Sequence, residues 1–343
     1  MMATEIVLPA VGEPETLEVR QRELPEPIKG EVMIRVEATG VSFAEQSMRR
    51  GRYPGQPAFP FVPGYDLVGV VTVLGPTVTS VTVGQRVAAV TKIGGWADYA
   101  ILPAADLVPV PDGLDAAAAE TAVVNGVTAW QMLHGLARVR SGRTILVHGA
   151  SGGVGVLLVQ LARVAGVRVI GTASSSKQNV VRALGAEPLD YRSGDIVAQV
   201  RALAPDGVDA VFDHVGGPGL NDSWRMLTPD GTLVCYGVAS ELDTQSSLWG
   251  TMLKTLARVY LWNVLPNGRH AYFYNLWGGK MLRPRTFRHK LRTALTQVFA
   301  LLAQGRIQAQ IARRLPLERA AEALRLAKSG TVSGKVVLVP GLA

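Results

Sequence analysis

The chain is poor in the groups that bind metals and form cross-links. It has one cysteine, Cys235, and five histidines in 343 residues. A single thiol permits no internal disulfide and no cysteine-ligated zinc lobe. Its apolar setting, TLVCYG, marks it as a core residue whose thiol stays protonated. His134, His148, His214, His270 and His289 include no pair at metal-ligand spacing. No apolar run approaches the roughly 18 residues needed to span a bilayer, because Arg163, Lys254 and Arg258 interrupt the longest candidates. The opening MMATEIVLPAVGEPE lacks a basic stretch followed by an apolar one, so a cytoplasmic protein is expected. Charged residues make up only 18%, against 48% hydrophobic, which excludes a disordered chain. The net charge is +8. The cations are scattered except between Arg258 and Arg292, so no nucleic-acid surface is expected.

What the chain does have is a strand, a glycine turn and a helix in immediate succession. Thr144–Val147 is β-prone, and VGVLLVQLARVAG has helical apolar spacing. Between them Gly149, Gly152 and Gly155 give G-x-x-G-x-x-G. The first glycine permits the turn, the second lets backbone approach a pyrophosphate, and the third lets helix pack on strand. The helix end supplies unpaired N–H groups and a partial positive charge. Gly152, Gly153, Val154 and Gly155 are therefore the expected pyrophosphate contacts.

The next strand, Val167–Thr172, indicates which dinucleotide is bound. An NAD site places Asp or Glu at its end to accept from the ribose 2′-hydroxyl. Here Ala173, Ser174, Ser175, Ser176 and Lys177 follow. Hydroxyls and an ammonium donate to a 2′-phosphate, and no carboxylate repels it. Tyr191 and Arg192, after the third strand, are placed to close on the same phosphate. NADPH is the expected cofactor. Ser174–Ser176 also suit the cap of the next helix.

Residues 1–122 read as β-rich, with runs at Glu31–Ala38, Leu67–Leu74, Arg86–Val90 and Tyr99–Leu102 between Gly/Pro turns. Such short strands indicate a small barrel. From Ala116 the pattern becomes helical and then alternates. Strands are expected at Thr144–Val147, Val167–Thr172, Glu187–Tyr191, Ala210–Asp213, Thr232–Tyr236 and Arg258–Trp262, as in a doubly wound parallel sheet. That gives a dinucleotide domain at 123–267. Residues 268–343, with helices at Phe287–Gln304 and Leu317–Lys328 and a strand at Lys335–Val339, are expected to return to the first domain.

Together these pieces resemble the medium-chain dehydrogenase/reductase superfamily, and within it the zinc-free quinone oxidoreductases. GVSFAEQSMRRGRYP, PGYDLVGVV, VGQRVAAV, VVNGVTAW, VHGASGGVG, GTASSSK, VFDHVGG, YGVAS and GKVVLVP carry the likeness along nearly the whole chain. The local wording is similar to the vesicle amine transport protein branch. The resemblance implies a GroES-like β-barrel catalytic domain, a Rossmann domain, a cofactor between them and a homodimer formed at the edge of the Rossmann sheet.

It also narrows the chemistry. Zinc-dependent relatives have Cys where this chain has Ser42, and His-Glu where it has Tyr65-Asp66. Serine and tyrosine are poor zinc ligands. Without a Lewis acid, an isolated ketone is hard to polarise. A quinone or α,β-unsaturated carbonyl is easier, because the charge left after hydride addition is delocalised. A trans-acting enoyl reductase on carrier-bound polyketides and a non-catalytic NADPH-binding adaptor are the alternatives.

By resemblance Ser42, where Asn is usual, touches the nicotinamide ribose or the substrate oxygen. Tyr53 hydrogen-bonds substrate or forms part of the wall around it. Ser47 replaces a second family tyrosine, so water is a candidate proton source. Asn125 and Thr128 approach the nicotinamide, with Gly126 giving room. Val238 and Ser240 border it through backbone. Gly334 and Lys335 reach the cofactor, unless Lys335 is a solvated strand-start lysine. His148 is read as a packed residue, and His214 as a possible neighbour of the cofactor. The aromatic and basic segment Leu242–Arg292 has three readings: a substrate wall and dimer edge, a solvated face, or a lip for anionic lipid or an acidic carrier protein.

Overall fold

The computed structural model describes residues 1–239 and 248–342. In chain order the strands are β1 (Met2–Val7), β2 (Glu18–Glu23), β3 (Glu31–Gly40), β4 (Asp66–Leu74), β5 (Arg86–Val90), β6 (Tyr99–Pro103) and β7 (Val108–Pro109). Then come β8 (Thr144–Val147), β9 (Arg168–Ala173), β10 (Glu187–Asp190), β11 (Val208–Asp213), β12 (Leu227–Cys235) and β13 (His270–Phe273). The chain closes with β14 (Ile311–Pro316) and β15 (Lys335–Val339). Helices are α1 (Phe43–Met48), α2 (Ala116–Trp130), α3 (Gly153–Val164), α4 (Gln178–Ala183), α5 (Ile196–Leu203), α6 (Leu220–Arg225), α7 (Leu248–Val264), α8 (Pro284–Ala303) and α9 (Ala320–Lys328). They form two compact units, Met1–Val127 with Leu282–Ala343, and Thr128–Met281.

The first unit is built on a mixed sheet of order β14-β15-β3-β4-β5-β7, with β6 also on β3. The alternation in EVMIRVEATG sends Val32, Ile34 and Val36 to one face, where they meet Leu67, Val71, Val87 and Ala89. β15 returns to lie antiparallel to β3 through Val337↔Gly40 and Leu338↔Thr39. Trp96 is fully buried and donates its indole N–H to the Gly40 carbonyl at 2.9 Å.

The second unit is a parallel sheet of order β10-β9-β8-β11-β12-β13. This is the doubly wound order: successive strands are added outward on one side from β8 to β10 and then on the other side from β11 to β13. Its core joins Leu146, Ile170, Val211, Leu233 and Cys235 to Val259 and Trp262 of α7. Burial raises the Cys235 thiol's pKa, with Asp213 adding to the effect, as suits an inert core residue.

One expected strand is a helix. Arg258–Trp262 lies inside α7. Thr255, Val259 and Trp262 are buried at helical spacing, and this stripe packs on the sheet. The sixth strand is instead β13, parallel to β12 with Thr232↔His270 in register. The chain therefore leaves the second unit at Met281 rather than near residue 268. β1, β2 and β14 also formed without a clear sequence signal. β2 is exposed throughout, so it shows no buried face in its pattern.

Candidate functional site

At the switch point of the second unit, β8 runs into the glycine turn. Gly149 has φ +65, and a Cβ there would lie 2.3 Å from His214 Cε1. Its amide donates to Thr172 Oγ1 at 3.1 Å, which ties the turn to β9. A Cβ on Gly155 would lie 2.2 Å from the Gly149 carbonyl oxygen, so only glycine lets α3 seat against the turn. Gly152 is the N-cap of α3 and no side chain caps it. The amides of Gly153, Val154 and Gly155 thus open the helix without a capping acceptor.

The register Asp190↔Ala173 brings the ends of β9 and β10 side by side. Ser174, Ser175 and Lys177 leave the first, and Tyr191 and Arg192 leave the second. Ser174 Oγ lies 3.2 Å from Ser176 Oγ, and Ser175 is exposed. Partial burial lowers the Lys177 pKa. Tyr191 is exposed, with the Arg192 guanidinium 5.3 Å from its ring centroid. Asp190 turns its Oδ1 to the Arg192 amide at 2.9 Å.

His148 bridges Thr172 Oγ1 (3.3 Å) and Ser223 Oγ (3.1 Å), and Ser223 donates to Asp213 Oδ2 at 2.7 Å. The serine lies between histidine and aspartate, so this chain ties strands together and is no nucleophile triad. Burial lowers the pKa of both His148 and His214, against the pull of the nearby Asp213 charge. His214 Nδ1 is buried without a partner among the described residues. Val238 follows β12, and the next residue, Ala239, donates its amide to the His214 backbone carbonyl at 2.9 Å. Ser240 lies outside the described residues.

Asn125 and Thr128 are buried in α2. Thr128 hydrogen-bonds the Tyr274 hydroxyl, which donates to Gln131 Oε1 at 3.0 Å. The room at Gly126 goes to a helix, since a Cβ there would lie 2.9 Å from Val298 Cγ1 of α8.

In the first unit, Ser42 caps α1 through a capping box. Its Oγ donates to Glu45 Oε2 at 2.5 Å and accepts from the Ala44 amide at 3.1 Å. Glu45 is buried, and desolvation raises its pKa above the usual carboxylate range. Half-buried Tyr53 places its hydroxyl 2.6 Å from that of buried Tyr65.

Lys335 is not a solvated strand-start lysine. It is 3% exposed, and its Nζ donates to Asp66 Oδ2 and Glu120 Oε1, both at 2.6 Å. Asp66 Oδ2 also accepts from the Val124 amide at 3.0 Å. Burial alone would lower the ammonium's pKa, but the two carboxylates outweigh it and raise it. Burial and the Asp66 charge raise Glu120 well above its ordinary value, against the pull of Lys335. The requirement for glycine at 334 is local: with φ +86, its Cβ would lie 2.0 Å from the Gln310 carbonyl oxygen.

The basic and aromatic segment divides by role. Trp262 stacks on Trp224 at 4.7 Å, and Arg269 lies over Trp224 while donating to the carbonyls of Trp224, Leu227 and Thr228. These are structural. Arg288 pairs with Asp106 at 2.5 Å, whereas Tyr260 and Tyr272 stay exposed.

Comparison with known proteins agrees with both halves of the chain. The family described as alcohol dehydrogenase GroES-like domain matches residues 28–112, and that described as zinc-binding dehydrogenase matches 184–338. A synaptic vesicle membrane protein VAT-1 homolog of Rattus norvegicus is 33% identical over 327 residues, 92% of this chain and 78% of that protein. A quinone oxidoreductase of Pseudomonas aeruginosa is 33% identical over 344 residues, 99% of this chain and 100% of that protein. The crystal structure of Escherichia coli quinone oxidoreductase complexed with NADPH matches with a TM-score of 0.86 at 25% identity, covering 98% of this chain and 100% of that one. The chain belongs to the medium-chain dehydrogenase/reductase superfamily, in the branch that holds the quinone oxidoreductases and the VAT-1 homologues.

Proposed function

We propose that the protein is an NADPH-dependent reductase acting on a quinone or an α,β-unsaturated carbonyl compound without a catalytic metal. The observation that carries this reading is the uncapped glycine turn of α3, beside a strand end that offers hydroxyls and an ammonium where an NAD site keeps a carboxylate. Gly152–Gly155 would hold the pyrophosphate through backbone amides. Ser174, Ser175 and Lys177, with Tyr191, would hold the 2′-phosphate. Val238, near His214, would border the nicotinamide. Bound, NADPH supplies a hydride.

The residues at the zinc position of metal-dependent relatives do not suit zinc. Ser42 is committed to Glu45, the Tyr65 phenol to Tyr53, and Asp66 to the Lys335 ammonium. Among the described residues no three His, Cys, Asp or Glu side chains come together as a metal site. Hydrogen bonds take the place of a Lewis acid in this reading. The Tyr53 hydroxyl donates to the substrate oxygen as negative charge gathers there, and Tyr65 steadies it by accepting or returning a proton across their 2.6 Å contact. A phenol with an ordinary pKa near 10 donates at neutral pH without ionising.

Loss of reduced-nicotinamide absorbance with a simple quinone and a simple enone tests the reading. Turnover with NADPH, well above that with NADH, supports it. Tight NADPH binding with no turnover on either acceptor class would sink it in favour of a binding protein.

A further inference from the structure

Among the described residues three besides glycine have a positive φ, Thr77, Lys92 and Arg138. Lys92, at φ +70, lies against both members of the hydroxyl pair. A lysine enters this left-handed region at a cost, whereas glycine adopts it freely. The backbone at 92 thus favours glycine, yet the position carries a long cationic side chain. Strain of this kind persists where the surroundings over-determine it, and it collects at binding and catalytic sites.

Lys92 follows β5, whose end meets the start of β4 through Asp66↔Val90. The amides of Thr91 and Lys92 both donate to the Tyr65 carbonyl, at 2.9 and 3.2 Å. The Lys92 ammonium donates to the Gly55 carbonyl at 2.7 Å and lies 5.9 Å from the Tyr53 ring centroid. Gly55 belongs to the turn Tyr53-Pro54-Gly55-Gln56, in which the Gln56 amide donates to the Tyr53 carbonyl at 3.2 Å. Proline and a positive-φ glycine fill its two central positions. Tyr53 therefore stands on a segment without helix or strand, and Tyr65 at the head of β4. Their hydroxyls meet only while the two segments keep their spacing. Lys92 holds one segment by its backbone and the other by its side chain.

We propose that Lys92 is the positioning residue of the Tyr53–Tyr65 pair, and the fixed positive charge that favours an anionic oxygen on the acceptor. The proposal rests on the reductase reading. Hydride addition turns a neutral acceptor into an enolate or hydroquinone anion, whose oxygen takes the Tyr53 hydrogen bond. A cation within about 6 Å of a phenol ring draws density from its hydroxyl, which then donates more strongly. The gain grows with the negative charge, so it is larger in the transition state than in the complex with neutral acceptor. The charge acts through Tyr53, without a contact to the reacting atoms.

The test compares Lys92→Met, Lys92→Arg and Lys92→Gly with the wild-type chain. With a simple quinone and a simple enone, Lys92→Met and Lys92→Gly should lower kcat about tenfold and leave the acceptor KM within about threefold, while Lys92→Arg recovers most of the loss. Lys92→Gly relieves the backbone and keeps the amide bond to Tyr65, so its melting temperature should stay within about 2 °C of the wild type's. 4-Nitrophenolate, a stable stand-in for the product anion, gives a readout without turnover. In the presence of NADP+ its dissociation constant should rise about tenfold in Lys92→Met and Lys92→Gly, with neutral 4-nitroanisole unaffected. Wild-type kcat in Lys92→Met would overturn the proposal. So would a Lys92→Gly variant that loses melting temperature and binds the phenolate like wild type, since that is the mark of a purely structural lysine. A wild type that reduces neither acceptor sinks the reductase reading instead, and phenolate binding then decides for or against Lys92 by itself.

Discussion

Replacing Lys335 with methionine keeps most of the side-chain volume and removes the charge from a site where both acidic partners are fully buried. Removing one partner of a buried ion pair costs about 3–5 kcal/mol. Two carboxylates are stranded here, but Glu120, with its raised pKa, takes up a proton more readily, which limits the penalty to about one uncompensated ion. At about 2–4 °C per kcal/mol, the melting transition should fall by roughly 6–20 °C. The pH dependence follows from Glu120. Because its folded pKa is raised, its contribution is full below the unfolded value of about 4.3 and is lost as pH rises through the folded value. Without the ammonium the folded pKa rises further, so the deficit of Lys335→Met should widen from mildly acidic to neutral pH. In a Glu120→Gln background the same substitution should cost less. Thermal and urea melts across that pH range measure all of this. A neutral-pH shift under about 2 °C, or an equal cost in the Glu120→Gln background, would refute the reasoning.

Three further outcomes are expected. Lys177→Glu should weaken NADPH binding by about 10- to 100-fold and leave NADH within about threefold, since a charged donor to phosphate is exchanged for a repelling one; equal losses by fluorescence titration would remove the 2′-phosphate assignment. Gly155→Ala puts a methyl 2.2 Å from the Gly149 oxygen, so NADPH affinity should drop at least about tenfold alongside the melting temperature; unchanged titration and melting would show that the turn yields. Tyr53→Phe and Tyr65→Phe should each lower kcat/KM by about tenfold, and the double variant little more, because the two hydroxyls act as one hydrogen-bonded pair; fully additive losses would separate them.

Sequence revealed what short-range pattern dictates. β5, β8 and β15 fall where alternation and β-branched runs place them, and the glycine turn lies between its strand and helix as the spacing requires. It misjudged Arg258–Trp262, because Val259, Tyr260 and Trp262 suit a strand as well as a buried helical stripe, and only packing on the sheet decides between them. Pairings made across the chain were beyond its reach. Tyr65 was visible as a missing ligand but not as the partner of Tyr53. Lys335 stood in a motif associated with the cofactor, and nothing near it in sequence announced Asp66 and Glu120. Glu45 was hidden likewise: S-x-x-E reads as a helix start, and that it is buried there is a tertiary fact.

The ammonium at 335 and the carboxylate at 66 are 269 residues apart, and the whole of Thr128–Met281 is threaded between them. As the chain emerges from the ribosome, the inserted stretch is complete before the barrel has its counter-charge. The buried ion cluster can therefore form only after the inserted stretch has been made in full and the closing strand has delivered its ammonium.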